Sequence, residues 1–73
     1  MGRLRVLSGR EACEIPSRRG FSLVRQRGSH AIMQARGASG SITVPVPLHP
    51  ELRTGTLMAI IRQSGLPRTL FEA

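Results

Sequence analysis

The sequence predicts a two-layer α+β domain whose elements follow in the order helix, three strands, helix. Three observations predict this class: a helix-capping pattern near the start, glycine-bounded extended segments in the middle and an apolar stripe with helical spacing near the end. Seventy-three residues can build one modest hydrophobic core. We therefore expect a single domain over residues 1–73, with both helices on one face of a three-stranded antiparallel sheet.

The first helix is predicted from a capping box. Ser8 and Glu11 have the spacing at which the serine hydroxyl accepts from the third amide of the helix and the glutamate carboxylate accepts from the serine amide. A helix should therefore begin after Ser8. Pro16 has no amide to donate to the carbonyl four residues earlier, so we expect the helix to kink or to end early, at Ile15.

Extended segments at residues 21–27, 30–35 and 41–46 are predicted to form an antiparallel meander. In the first of them, Phe21 and Leu23 should lie on one face because side chains alternate along a strand. In the third, every second residue is aliphatic. Both patterns are typical of strands that bury one face.

Glycines and prolines predict the ends of these strands. Gly28 and Ser29 should form the first turn, and the stretch Arg36–Gly40, which contains two glycines, should form a loop. Pro45 and Pro47 cannot donate to a ladder of backbone hydrogen bonds. The third strand is therefore expected at an edge of the sheet.

The second helix is the clearest element of the chain. Thr54 is predicted to cap its start, and Leu57, Ile60 and Ile61 fall on one stripe. Gly65 follows as a residue that readily takes the left-handed conformation found at helix ends. A short final helix is expected over the last residues.

The net charge is +7, and all eleven basic side chains are arginines. The planar guanidinium group binds phosphate oxygens through two hydrogen bonds and also stacks on bases, which suits RNA. A coding preference for arginine over lysine would give the same composition. From this charge we expect a nucleic-acid partner.

Several classes of site lack the residues that they require. Cys13 is the only cysteine, which excludes an internal disulfide and a cysteine-based zinc site. There is no aspartate, and the four glutamates are scattered, so a carboxylate-bound Mg²⁺ site is not expected. The sequence predicts neither a metal nor a cofactor.

No apolar run approaches the roughly 20 residues that span a bilayer. The first six residues are too short and too basic for a signal peptide. We expect a cytoplasmic protein that does not contact a membrane.

Two side chains, His30 and His49, belong to the residue type that exchanges protons near neutrality. RNA carries its own nucleophile, the 2′-hydroxyl, so a base near that group and cations near the phosphate can suffice for cleavage. Arg25 and Arg27 precede His30 on the incoming strand, and Gly28 lets a substrate backbone approach closely. On composition alone, a lone histidine at the start of a strand is more often a packed or hydrogen-bonded structural residue than a catalytic one.

Five ordered blocks of the sequence resemble the HicA toxin family. They lie within a span from Ser8 to Leu66, in the family's order and at plausible spacing, and a Gly-Ser-His triplet is part of the second block. The blocks are Gly20–Phe21, Val24–His30, Thr43–Pro45, Glu51–Leu57 and Ile60–Leu66.

The resemblance implies a fold like that of double-stranded-RNA-binding domains, ribosome-independent cleavage of mRNA, and inhibition by a HicB-type antitoxin. In that family the histidine of the Gly-Ser-His block is catalytic, and it falls on His30. His49 lies where many relatives place a histidine, which could be a general acid or a surface residue without a chemical role. The residues expected to bind RNA are Arg25, Arg27, Gly28, Ser29 and Arg36.

The chain departs from the family pattern at Pro16, where relatives usually have an apolar helix former, and at Met33, where they often have an aromatic residue. The segment Arg36–Ser41 lacks the charged turn of many relatives. Two alternatives stay open from the sequence: a non-catalytic RNA-binding module or inactive toxin remnant, and an interaction protein that binds an acidic partner.

Overall fold

The computed structural model describes residues 2–73 and has the predicted order of elements. Helix α1 (Gly9–Ser17) is followed by strands β1 (Ser22–Arg27), β2 (His30–Gly37) and β3 (Gly40–Pro47), then by helix α2 (Thr54–Ser64) and a short 3-10 helix (Arg68–Phe71). The strands form one antiparallel sheet in the order β1-β2-β3. The predicted α+β class is confirmed.

The core lies between the two helices and one face of the sheet, so both helices cover the same face, as predicted. Alternate residues of β2 and β3 point into this core and form the inner face of the sheet. The opposite face, which we call the open face, has no helix over it within residues 2–73. Buried core residues are Leu7, Ala12, Phe21, Ala31, Met33, Val44, Val46, Leu52, Leu57, Ile60 and Phe71.

Helix α1 begins with the predicted capping box. The Ser8 amide donates to Glu11 Oε1 at 2.9 Å, and the Glu11 amide donates to Ser8 Oγ at 3.1 Å. The hydrogen bond from the Ser8 amide is the largest cause that lowers the pKa of the Glu11 carboxyl, and the Ser8 hydroxyl is the next. The start of the helix is thus fixed by local side-chain chemistry.

Helix α1 does not end at Ile15, so the expected early end is wrong. The helix continues to Ser17, with Pro16 inside it. Pro16 lies in the last turn, where its missing amide removes one hydrogen bond, and its carbonyl accepts from the amides of Arg19 at 2.8 Å and Phe21 at 3.1 Å. Its ring is fully buried, and this packing favours the helical end.

The hairpin between β2 and β3 is tighter than predicted. Arg36 lies in β2 and pairs with Ser41, and Gly37 pairs with Gly40. The loop expected over Arg36–Gly40 is therefore a two-residue turn. Gly40 has φ 126°, a conformation that glycine adopts without strain, and this allows the short turn.

Helix α2 has the predicted stripe but a different start. Thr54 is its first helical residue rather than its cap, and Arg53 occupies the cap position without a side-chain bond. Gly65 ends the helix with φ 71°, and its amide donates to the carbonyls of Ile61 and Arg62. The predicted stop is confirmed and the predicted cap is wrong.

The two terminal segments pair with each other, which the sequence analysis did not predict. The Arg5 amide donates to the Phe71 carbonyl and the Ala73 amide to the Arg3 carbonyl, both at 2.8 Å. Leu4 and Glu72 form an isolated antiparallel bridge between these bonds. This pairing places the final 3-10 helix over the core.

Candidate active site

The turn between β1 and β2 positions His30, the first residue of β2. Gly28 has φ +59°, a backbone conformation that residues with a side chain rarely adopt, so glycine suits this turn. The Gln26 side-chain amide donates to the Gly28 carbonyl at 3.0 Å, and the Leu48 amide donates to the Ser29 carbonyl at 2.6 Å. The turn is therefore bonded to the strand before it and to the segment after β3.

His30 lies on the open face of the sheet. Its neighbour Ala31 is buried against the helices, and side chains alternate along a strand, so the His30 side chain points to the other side. Across the strands, His30 pairs with Arg27 on β1 and with Pro47 on β3. His30 and Arg27 are both exposed, so a substrate can reach this pair.

A β-bulge decides the face on which the arginines of β1 lie. Leu23 pairs with Met33 and Arg25 pairs with Ile32, which leaves Val24 as an extra residue in β1. Met33 is buried, so its partner Leu23 is on the inner face of the sheet, whereas Arg25 is on the open face beside Ile32. The bulge thus brings Arg25 to the face of the sheet that carries His30.

Sequence analysis missed this bulge, although the sequence contains a signal for it. Strict alternation from Phe21 and Leu23 would place Arg25 and Arg27 on the inner face, the side of the sheet that the helices cover. Inserting one residue moves both guanidinium groups to the open face. An alternating pattern that changes from apolar to arginine residues therefore favours a bulge between the two parts.

Arg36 is on the open face but not beside His30. Arg36 is six positions along β2 from His30, which corresponds to about 20 Å at roughly 3.3 Å per residue. Arg36 therefore lies at the opposite end of the sheet from the Gly28-Ser29 turn. The structure brings Arg25, Arg27, Gly28 and Ser29 to the His30 end and leaves Arg36 at the other.

The middle of the open face lacks aromatic rings. The Gln34 side-chain amide donates to Thr43 Oγ1 at 3.2 Å, between the His30 end and Arg36. Phe21 and Phe71 are the only aromatic residues of the chain, and both are buried. This face therefore suits contacts to phosphates and sugars rather than stacking of bases.

His49 lies near the same end of the sheet as His30. It comes shortly after β3, and its carbonyl accepts a hydrogen bond from the Gly9 amide at 2.9 Å. The preceding residue, Leu48, donates its amide to the Ser29 carbonyl. The side chain of His49 is exposed. The fold therefore brings both histidine-bearing segments to the Gly28-Ser29 end of the sheet.

Other reactive groups are separate from this end. Cys13 lies on α1, and burial raises the pKa of its thiol, which disfavours the nucleophilic thiolate. Within residues 2–73, no three His, Cys, Asp or Glu side chains are grouped so that they could bind a metal ion.

In the same part of the chain, no helix is long and apolar enough to cross a membrane.

The arginines of the open face are available to a ligand. In the described part of the chain, the one salt bridge joins Arg68 to Glu72 at 2.8 Å, away from the sheet. Arg25, Arg27 and Arg36 are exposed and have no carboxylate partner within residues 2–73. An anionic ligand would therefore not have to displace an internal ion pair.

The sequence matches the model of a known protein family. The model of the HicA toxin of bacterial toxin-antitoxin systems matches residues 9–66, a range that contains both helices and the whole sheet. No curated protein matches the sequence. The matched range includes the Gly28-Ser29 turn, His30 and His49.

Proposed function

This chain belongs to the HicA family of bacterial toxin-antitoxin toxins, and we propose that it is an mRNA-cleaving ribonuclease with His30 as its general base. The observation that carries the proposal is the exposed His30 on the open face, directly opposite Arg27. This pair offers a proton acceptor and a phosphate-binding cation to the same RNA linkage. Cleavage is proposed to occur in the cytoplasm and without the ribosome.

In the proposed reaction, the His30 imidazole removes the proton from a 2′-hydroxyl of RNA. The 2′-oxygen then attacks the adjacent phosphorus, and the bond from phosphorus to the 5′-oxygen breaks. The leaving oxygen takes a proton from water or from an acid at this end of the sheet, where His49 is the candidate. The products are a 2′,3′-cyclic phosphate and a 5′-hydroxyl.

Arg27 is proposed to bind the phosphate that is cleaved. Directly opposed residues of an antiparallel pair have Cβ atoms roughly 5 Å apart, so the Arg27 and His30 side chains can contact one nucleotide. A guanidinium group stabilises negative charge as it increases on the phosphate oxygens. Arg25, one position further along the open face, can bind the next phosphate.

The proposed function is tested with purified protein, a ribosome-free RNA oligonucleotide and EDTA. We expect cleavage to a 2′,3′-cyclic phosphate, and no cleavage at a linkage whose 2′-hydroxyl is replaced by hydrogen. Cleavage of the deoxy linkage, or an absolute need for ribosomes or added metal, would contradict the mechanism. Tight binding without turnover would support the alternative of a non-catalytic RNA-binding module.

We expect Arg27→Ala to weaken RNA binding and to flatten its salt dependence. Loss of one phosphate contact should reduce the slope of log affinity against log salt by about one, because fewer counterions are released. The matched control is Arg62→Ala, since Arg62 is an exposed arginine in the last turn of α2. Equal affinities and slopes for the two variants would place the phosphate-binding surface elsewhere.

A HicB-type antitoxin is proposed to inhibit the protein by covering His30 on the basic open face. An acidic antitoxin surface would be attracted to the arginines of the open face, which would speed and orient the encounter. Remote inhibition would require an element with two stable states, and direct occlusion requires none. We expect antitoxin and RNA to compete for the His30→Ala protein, and a stable three-way complex with RNA still bound at the open face would contradict this.

A further inference from the structure

The edge of the sheet formed by β3 is protected against pairing. The Leu48 amide donates to the Ser29 carbonyl, so it is directed toward β2. Successive amides along a strand alternate in direction, and the backbone nitrogens of residues 45 and 47 are therefore directed away from β2. Both positions are prolines, which have no amide hydrogen. An incoming strand would find no donors at these two positions, so this edge resists strand addition.

The opposite edge, formed by β1, has no such protection. All six residues of β1 are exposed and none is proline. Leu23 is 58% exposed and Val24 is 49% exposed, so this free edge presents two adjacent aliphatic side chains to solvent. Within residues 2–73, no strand pairs with the outer edge of β1.

An apolar groove of about 350 Å³ lies between this edge and α1. It begins at Leu23 on β1 and extends over the inner face of β2 to α1, where Cys13 contributes to its wall. The residues that give it its apolar character are Cys13, Leu23, Ala31, Met33 and Leu48. A strand added beside β1 would place every second side chain on the same side of the sheet as this groove.

We propose that the β1 edge and this groove bind an extended segment of an acidic partner protein in which apolar and acidic residues alternate. The apolar side chains would contact Leu23 and fill the groove. The acidic side chains would lie on the open face beside Arg25 and Arg27, and the net charge of +7 would attract such a segment. This inference does not depend on RNA cleavage.

A second copy of this chain fits the edge poorly. Pairing β1 with β1 would bring Arg25 and Arg27 of two molecules together, and each molecule carries a net charge of +7. The charge of the edge therefore selects an acidic partner over self-association.

The proposal is tested with a synthetic peptide of about six residues in which valine and glutamate alternate. We expect it to bind the ¹⁵N-labelled protein and to shift backbone amide resonances of β1 and of the α1 residues at the groove. A peptide with lysine in place of glutamate should bind at least about tenfold more weakly, because it meets the arginines of the edge. A peptide with serine in place of valine should also bind more weakly, because it leaves the groove empty.

The discriminating variant is Val24→Glu, which places a negative charge at the edge, where it repels the acidic side chains of the bound strand. We expect at least about tenfold weaker peptide binding, whereas Val6→Glu, at a valine 76% exposed and outside the sheet, should bind like the wild type. Both variants should keep the wild-type melting temperature. Equal binding by the two variants, shifts confined to other elements, or a dimer formed through β1 would overturn the proposal.

Discussion

Replacing Gly9 with alanine is expected to unfold the domain or to lower its melting temperature sharply. Gly9 is the buried first residue of α1. A Cβ atom there would overlap the Pro47 carbonyl oxygen and would lie 2.7 Å from Leu48 Cα. These are backbone atoms, and Pro47 is paired with His30 in the sheet, so they cannot move aside without disturbing β3.

The expected loss is about 3 kcal/mol or more, the upper part of the range for inserting atoms into a packed site. A domain of this size changes its melting temperature by about 4–8 °C per kcal/mol, so the decrease should be at least about 12 °C. Thermal unfolding followed by circular dichroism measures it. A melting temperature within a few degrees of the wild type would show that α1 can move away from β3.

Gly55→Ala is the matched control because it makes the same change in the first turn of the other helix. A Cβ at Gly55 meets no atom within 4 Å. Alanine also favours the helical conformation over glycine, by at most about 1 kcal/mol. This variant should therefore be as stable as the wild type or more stable, which separates the packing at Gly9 from the general effect of alanine.

Element order was predictable because its signals are local. The capping box at Ser8, the stop at Gly65 and the alternating segments each need only a few neighbouring residues. The errors arose where tertiary packing decides. Pro16 stays helical because its ring is buried, and α2 begins at Thr54 with Arg53 at the cap position and no side-chain cap bond.

The requirement for glycine at position 9 could not be predicted because it comes from a contact distant in sequence. In the sequence, Gly9 is only the residue that follows Ser8 in the capping box. In the structure, its amide donates to the His49 carbonyl and its Cα faces the end of β3. The pairing of Leu4 with Glu72 was missed for the same reason. Short, irregular partners give no periodic pattern in the sequence.

Sequence analysis proposed His30 as the central residue, and the structure supplies its surroundings. The grouping of Arg27 with His30 follows from the hairpin turn, which is local. The placement of Arg25 depends on the bulge at Val24, and the separation of Arg36 depends on the length of β2. Strand register and strand length are set by pairing, which a linear pattern specifies only in part.

His30→Ala is expected to lower the rate of RNA cleavage by about 10²–10⁴-fold, the range typical of removing a general base. The side chain is exposed on the open face, so its loss should leave the free energy of unfolding within about 0.5 kcal/mol of the wild type. RNA affinity should change little, because Arg25 and Arg27 are proposed to make the phosphate contacts. The measurements are single-turnover cleavage, RNA binding and thermal unfolding of the same preparation.

His49→Ala is the companion variant, since His49 is the other histidine and its side chain is also exposed. If His49 protonates the leaving 5′-oxygen, its loss should slow cleavage of an ordinary RNA linkage. A substrate with a 5′-thiol leaving group needs no such proton, so His49→Ala should cleave it at nearly the wild-type rate. His30→Ala should stay slow with both substrates, because the 2′-hydroxyl must lose its proton in either case. Full cleavage by purified His30→Ala protein would refute the assignment of the general base.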